Sequence, residues 1–455
     1  MTTTTTPDRL DRAVLKLAGV LVLGALAPLL DSTIVNVAIH TLGAELHTGV
    51  STGQWVSTAY LLALAIAIPI TGWSANRFGA KRMWVVALAL FLAGSMLCGV
   101  AWNIESLIAF RVIQGLGGGL MLPILQTLLF RAAGRERMGR LMAVVTLPAL
   151  IGPILGPVIG GLMIAHLDWR WIFYVNVPIC LAAITLAVRV LKPDPQPTAA
   201  ALDVTGLLLV SPALAGIIYG LTQVGTHGGF GHADVLLPIG LGIVLLIAFA
   251  LRRTDGPLID LGLFRTRSFA ASTTLLFLTG FALYGAMLLL PLFYQQARGE
   301  SVVAAGLLLV PQGIGSLLAR TAGGLTDRFG PRPVVFAGIL LTVAGTIPFA
   351  FAGTAYWVLA VALVVRGAGL SAVSLSVMVG AFRDLEPQQI PDGSSTTRIM
   401  QQLGGAFGAA TLAVVLQSNL IGHPASTAYA TSFWWAIAFT AVAAVPALFL
   451  PAVRR

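Results

Sequence analysis

Apolar runs of about 20 residues recur along the whole chain, and no other feature limits its fold so tightly, because a helix of that length spans the hydrocarbon core of a bilayer. Short polar stretches rich in Gly, Pro or Arg separate them. Fourteen such spans are predicted, over 14–39, 53–72, 82–101, 104–130, 141–164, 170–190, 203–222, 234–252, 269–296, 304–326, 332–352, 355–380, 395–418 and 430–451. The composition agrees: 57% of residues are hydrophobic and 10% charged, against about 25% charged in a soluble domain. Lipid offers the backbone no hydrogen bonds, so the runs predict helices, and an all-α membrane protein follows. The 50 glycines and 24 prolines fall largely inside the spans, which predicts kinked, closely packed helices.

Orientation follows from Lys and Arg, which stay on the cytoplasmic side. An even number of spans puts both termini on one face. With that face inside, the cytoplasmic ends and loops hold most of the basic residues, from Arg9, Arg12 and Lys16 to Arg454 and Arg455, while the outer loops hold only Arg170 and Arg298. With three Lys against 24 Arg the chain has the codon bias of a GC-rich bacterium, and a bacterial inner membrane protein with both termini cytoplasmic is expected. The net charge of +10 then lies against anionic lipid, and no nucleic-acid partner is needed to explain it. The first apolar run is too long for a signal peptide and is predicted to be retained. Cys98 and Cys180 fall within spans and are expected as core thiols. All six histidines fall in outer loops or outer helix ends with spacings that match no metal site, so no metal and no cofactor is expected; sensing of external pH by these histidines stays open.

The chain also repeats itself. After the second span it reads GWSANRFGAKR from Gly72, and 251 residues later, after the tenth, GGLTDRFGPRP from Gly323. The fourth span carries RVIQGLGGGLMLP from Arg111, and the twelfth echoes it with RGAGLSAVSLSV from Arg366. Two six-helix bundles in parallel repeat are expected, over 1–191 and 269–455, with a linker and two inserted transmembrane helices over 192–268. Such a repeat places a central cavity between halves that alternately faces each side.

Seven blocks in order carry a further resemblance: LDSTIVNVA from Leu30, the two loop motifs, RVIQGLGGGLMLP, GPILGPVIGG from Gly152, DWRWIFYVNVPI from Asp168, AGLLLVPQGIG from Ala305 and RIMQQLGGAFGAA from Arg398. On these the chain resembles the fourteen-helix drug:proton antiporter family of the major facilitator superfamily. The resemblance implies proton-coupled export of small lipophilic compounds by a working monomer. It implies that Asp31 and Arg111 face one cavity, that the helix-5 pattern around Gly152, Gly156, Pro157 and Gly160 marks an exporter, and that the loop motifs act as latches. Asn76 stands before Arg77 where the family usually has Asp; the second copy keeps Asp327 before Arg328.

Each block has a physical reading beside the family one. Asp31 sits among apolar residues inside a span, where an ionisable group is expensive and marks a functional site. Arg111 is the evident counter-charge. Two roles fit the pair: a switch in which protonation of Asp31 frees Arg111, or a static bridge fixing helix 1 on helix 4. Gly152, Gly156 and Gly160 recur at four-residue steps and let backbones approach. Candidate cavity residues are the polar or aromatic groups within spans: Asn36, Gln54, Tyr60, Gln114, Gln126, Tyr284, Gln295, Gln312, Arg366, Gln401, Gln402 and Phe407. The sequence holds no phosphate-binding GxxxxGK[ST] loop and no long cytoplasmic segment, so an enzyme is not expected. An exporter or flippase of an endogenous lipid or natural product is the alternative to drug efflux.

Overall fold

The computed structural model describes residues 12–48, 50–133, 156, 159–164, 166–192, 201–227, 229–252, 254, 257–319, 322–351 and 353–451. Among them helix dominates and no strand occurs. The first half contributes α1 (Arg12–Glu45), α2 (Val50–Ala67), α3 (Ile70–Phe78), α4 (Ala80–Gly99), α5 (Ile104–Ala133) and α6 (Asn176–Val190). Then follow α7 (Val204–His227) and α8 (Ala233–Leu251). The second half contributes α9 (Arg267–Leu292), α10 (Val302–Leu308), α11 (Val310–Leu318), α12 (Ala322–Phe329), α13 (Pro331–Thr346), α14 (Tyr356–Phe382), α15 (Ile390–Leu420) and α16 (Ala425–Val442).

Among the described residues eleven helical spans are long and apolar enough to cross a membrane, or twelve if the bent pair α2 and α3 is one span. Their 56° bend falls at Pro69, which has no N–H for the helical ladder. The tenth expected span is broken into α10, α11 and α12. The fifth lies mostly outside the described residues, as do Gly152 and Pro157.

Glycines set the helix crossings. A Cβ on Gly94 of α4 would meet the backbone N of Gln114 on α5 at 2.5 Å, and one on Gly115 of α5 would meet the carbonyl of Tyr60 on α2 at 2.5 Å. In the second half a Cβ on Gly345 of α13 would meet the backbone N of Arg366 on α14 at 2.5 Å, and one on Gly367 would collide with the carbonyl of Gln312 on α11. Gly115 therefore corresponds to Gly367, and Tyr60 to Gln312. This register corrects one expectation: Arg366, next to Gly367, takes the place of Gln114 and not of Arg111. Backbone contact at the glycines, rather than likeness of the arginines, fixes the repeat.

At one end the halves share a core. Leu129 and Phe130 of α5 join Phe382, Leu385 and Ile390 in one apolar cluster, and the rings of Phe130 and Phe382 lie 5.8 Å apart. There Gly72 of α3 abuts the Asp392 carboxylate, and Thr127 Oγ1 reaches Ser394 Oγ at 3.4 Å. Toward the other end the cores are separate, one around Ile34, Leu42, Ile104 and Trp169, the other around Leu289, Phe293, Phe349 and Phe433. The molecule is thus sealed at the Gly72–Asp392 end.

The pair α7 and α8 packs together, and α7 bridges the halves. Its Tyr219 ring lies 5.6 Å from Trp55 of α2, and Ile217, Leu221 and Val224 pack with Ala410 and Phe407 of α15. Ser211 Oγ donates to the Ile66 carbonyl at 2.9 Å, beside the break between α2 and α3. Outside it, α8 exposes Leu236, Leu237, Leu241 and Val244, as a lipid-facing helix does. Arg252 Nη2 donates to Asp203 Oδ1 at 2.7 Å, which ties the end of α8 to the start of α7. Burial works against the Asp203 charge, but hydrogen bonds from Arg252 and from the Gly206 and Leu258 N–H groups outweigh it and hold the carboxyl below its usual range.

Candidate functional site

Asp31, midway along α1, is 0% exposed, and Arg111 on α5 is 1% exposed. Arg111 Nη1 donates to Asp31 Oδ2 at 2.5 Å and to Gln114 Oε1 at 2.6 Å. Its Nε donates to the Val56 carbonyl at 3.0 Å, and its guanidinium carbon lies 4.1 Å from the Tyr60 ring centroid. Gln114 follows Arg111 by three residues, so both point from one face of α5. Gln114 Nε2 donates to Asp31 Oδ1 and to Ser95 Oγ, each at 2.8 Å. Asn176 Nδ2 donates to the same two acceptors at 3.2 and 2.9 Å, and Ser95 Oγ passes its own hydrogen to the Phe173 carbonyl at 3.3 Å. Five helices thus contribute to the cluster around this carboxylate, α1, α2, α4, α5 and α6.

Desolvating two charges costs several kcal/mol per ion, and mutual attraction alone repays that poorly. Here Asp31 accepts three donors, and Arg111 has three further partners that carry no full charge. The arrangement has a chemical consequence: a proton on Asp31 would cancel the one charge opposite Arg111, while Val56, Gln114 and Tyr60 would still hold the guanidinium. Of the expected coupling and cavity residues, Asp31, Arg111, Gln114 and Tyr60 come together in this cluster. Gly156 and Gly160 sit beside it. A Cβ on Gly156 would collide with Thr33 Oγ1, and one on Gly160 would meet Ile34 Cγ2 at 3.2 Å, so the described part of the fifth span lies against the turn of α1 that follows Asp31.

The other expected cavity residues with described side chains lie outside this cluster, and several have local partners of their own. Arg366, 3% exposed, donates from Nη1 to Gln312 Oε1 at 2.6 Å and from Nη2 to the Ala282 carbonyl at 3.2 Å. Tyr284 packs its ring on Gly405. Gln401 Oε1 accepts from Arg398 Nη1 at 2.8 Å, and the buried oxygens of Gln402 and Gln126 have no partner among the described residues. Phe407 stacks at 5.9 Å on Phe277. Gln54 is exposed and Gln295 half-buried. Asn36 lies on α1 with its side chain outside the described residues.

At the sealed end, Asn76 Oδ1 accepts a long bond from Arg131 Nη2 at 3.5 Å. Arg77 ends α3, exposed; Lys81 Nζ donates to the Leu191 and Val188 carbonyls at 2.5 and 3.0 Å, where α6 leaves its last carbonyls free. Arg328 is exposed over the Phe329 ring at 5.1 Å, and the Asp327 side chain lies outside the described residues. Cys98 and Cys180 are buried free thiols.

Sequence reasoning missed Ser95, Asn176 and Arg398. Asn176 stands in the quoted DWRWIFYVNVPI block as a polar residue at the start of an apolar run, which was a usable signal. Ser95 gave none. Arg398 was expected at a cytoplasmic helix end, but α15 begins at Ile390, which places it two turns inside.

A helical bundle with a repeated half and a buried ion pair in its interior defines a polytopic membrane carrier. The sequence pattern of the Major Facilitator Superfamily matches residues 21–409, and the chain belongs to that superfamily. It is similar to the multidrug resistance protein B homolog of Mycobacterium tuberculosis, at 40% identity over 90% of this chain and 77% of that protein. It is similar also to the multidrug export protein EmrB of Haemophilus influenzae, at 31% identity over 87% and 79%. Among solved structures, the proton:xylose symporter XylE shares the fold, with a TM-score of 0.67 at 16% identity, over 96% of each chain.

Proposed function

We propose that this protein is a proton-coupled antiporter that exports small lipophilic compounds by alternating access. One observation carries the reading: the Asp31–Arg111 pair, buried in a chain whose relatives at 31–40% identity bear multidrug export or resistance names. In this reading the protein works as a monomer in the bacterial inner membrane, both termini cytoplasmic, with protons as the coupling ion and no cofactor. It has fourteen transmembrane helices: two six-helix bundles, 1–191 and 269–455, and the inserted α7 and α8.

With that orientation the Gly72–Asp392 end, where the halves meet, is cytoplasmic. A proton arriving on Asp31 releases Arg111 to Val56, Gln114 and Tyr60, which changes the relative energy of the two facing states. Release of that proton inward after substrate has been taken up re-forms the pair. Each turnover exchanges a proton for cargo. The reading is tested in liposomes under an imposed pH gradient, following ethidium and lumenal pH together. Wild type moves dye and protons in opposite directions and Asp31→Asn moves neither; equal dye movement in both proteins would sink the role of Asp31.

A further inference from the structure

Around Asp31 every close polar partner is a donor. Oδ2 faces Arg111 Nη1, and Oδ1 faces the amide nitrogens of Gln114 and Asn176. Each amide gives its second hydrogen to Ser95 Oγ, whose own hydrogen makes a longer bond of 3.3 Å to the Phe173 carbonyl. These surroundings also fix which end of the Asn176 amide points inward, since an ionised carboxylate only accepts and would repel an amide oxygen. This set of donors suits the charged form. A protonated carboxyl carries an O–H that needs an acceptor, and burial without one is costly.

The acceptors nearby are taken, with one exception. Gln114 Oε1 holds Arg111 Nη1 at 2.6 Å and Cys98 Sγ at 3.7 Å. Ser95 Oγ already accepts from both amides, and the unpaired Tyr60 hydroxyl is turned toward Gly118. Asn176 is 0% exposed, and its Oδ1 has no partner among the described residues. The torsion that carries an amide is close to two-fold, and the two ends of the amide are alike in size. A half-turn therefore brings Oδ1 to the place of Nδ2, where its two lone pairs can accept from Asp31 and Ser95 together. One end of the amide lacks a partner in either orientation, so the proton on Asp31 decides between them. From this orphaned oxygen we infer that Asn176 is a positioning residue whose amide turns over when Asp31 takes up a proton. The Asp31 O–H then donates to Oδ1, and Ser95 moves its hydrogen from the Phe173 carbonyl to the same atom. Asn176 thereby reads the state of Asp31 and passes it to the backbone that leads into α6. Acidification changes no other group at the site. Arg111 of α5, Tyr60 of α2, Cys98 of α4 and Cys180 of α6 surround Asp31 and are buried, and all four carry their protons at neutral pH already. The fifth span, 141–164, contains no ionisable residue.

The role of Asn176 rests on the antiport reading, and infrared difference spectra of the purified protein tell the failure of one from that of the other. Spectra are taken between alkaline and acidic buffer, with an isotope label on the side-chain carbonyl carbon of asparagine. On acidification wild type should gain a protonated-carboxyl band that Asp31→Asn lacks. With it one labelled amide band should move to lower frequency, as a free carbonyl becomes hydrogen-bonded. Asn176→Leu should lose the amide change, raise the frequency of the carboxyl band and slow ethidium–proton exchange in liposomes severalfold. Ser95→Ala removes one of the two hydrogens offered to Oδ1; it should shrink the amide shift without abolishing it, and it serves if Asn176→Leu does not fold. A carboxyl band from Asp31 with no labelled amide band moving would overturn the role of Asn176 and leave the antiport reading in place, as would an amide change that survives in Asn176→Leu. No carboxyl band from Asp31 at any pH would overturn both.

Discussion

Gly72 of α3 and Asp392 of α15 touch across the two halves so closely that a methyl group at Gly72 would overlap the carboxylate. Gly72→Ala should therefore push α3 and α15 apart and disfavour the sealed state. Spin labels on the exposed Arg77 and Glu386 should report a longer distance in the variant, with transport reduced severalfold. An unchanged distance distribution would show that the seal rests on the aromatic contact between Phe130 and Phe382 alone.

Breaking a buried pair from one side costs about 3–5 kcal/mol, because the remaining charge is stranded. Asp31→Ala should thus lower thermal stability markedly, whereas Asp31→Asn, which keeps the shape and one acceptor oxygen, should be milder. Thermal unfolding of the two purified variants separates the cost of an unpaired Arg111 from the loss of coupling; identical melting curves would contradict the buried geometry.

Gly160 and Gly161 are neighbours in sequence with different surroundings. Gly160 lies against Ile34, as Gly156 lies against Thr33, while a Cβ added at Gly161 would meet nothing within 4 Å among the described residues. Gly156→Leu and Gly160→Leu should abolish transport at normal expression, and Gly161→Leu should leave it near wild type. A loss at Gly161 equal to that at Gly160 would refute the packing of the fifth span on α1.

In the second half, Gln312 is the side-chain partner of Arg366. Hydrogen bonds to charged groups contribute about 1.5–3 kcal/mol, so Gln312→Leu should destabilise the protein by that order. Gln312→Glu should be tolerated better, since it supplies a counter-charge in place. Melting temperatures in one detergent provide the comparison.

The Asp203 clamp predicts a pH dependence with a defined sign. Its carboxyl is held below its ordinary value near 3.9, so its contribution is complete above about pH 4–5. That contribution disappears as pH falls through the folded-state value. The stability difference between wild type and Asp203→Asn should therefore be constant at neutral pH and shrink in acid. A difference that grew on acidification would contradict the hydrogen bonds from Arg252, Gly206 and Leu258.

Hydropathy and the basic-residue pattern made the helical spans legible, and the cost of a charge in lipid singled out Asp31 and Arg111. What hydropathy could not see was the direction in which each helix faces. Ser95 and Asn176 read as ordinary polar residues, and only the rotation of α4 and α6 about their axes brings both to Asp31. The start of α15 was hidden for a different reason. Its first residues, IPDGS, read as loop before a span expected to begin at Ser395, yet helix starts at Ile390, and Ser395, Thr396 and Thr397 turn their hydroxyls back onto carbonyls of that first stretch, which lets a polar sequence be buried as helix. Arg398 was misplaced with it. The register of the repeat was blurred because arginines catch the eye and glycines make the contacts.

The bond from Ser211 to the Ile66 carbonyl bears on how such a chain could be shortened. Pro69 cannot donate to the ladder, and the bend beside it leaves carbonyls of α2 in need of donors. One is met from the inserted pair, whose Tyr219 also covers Trp55. Excising residues 192–268 to fuse the two bundles directly would expose a kink that has lost its splint, so a twelve-helix derivative would need a new hydroxyl or amide beside Ile66 and a new apolar neighbour for Trp55 before it could be expected to keep the bend.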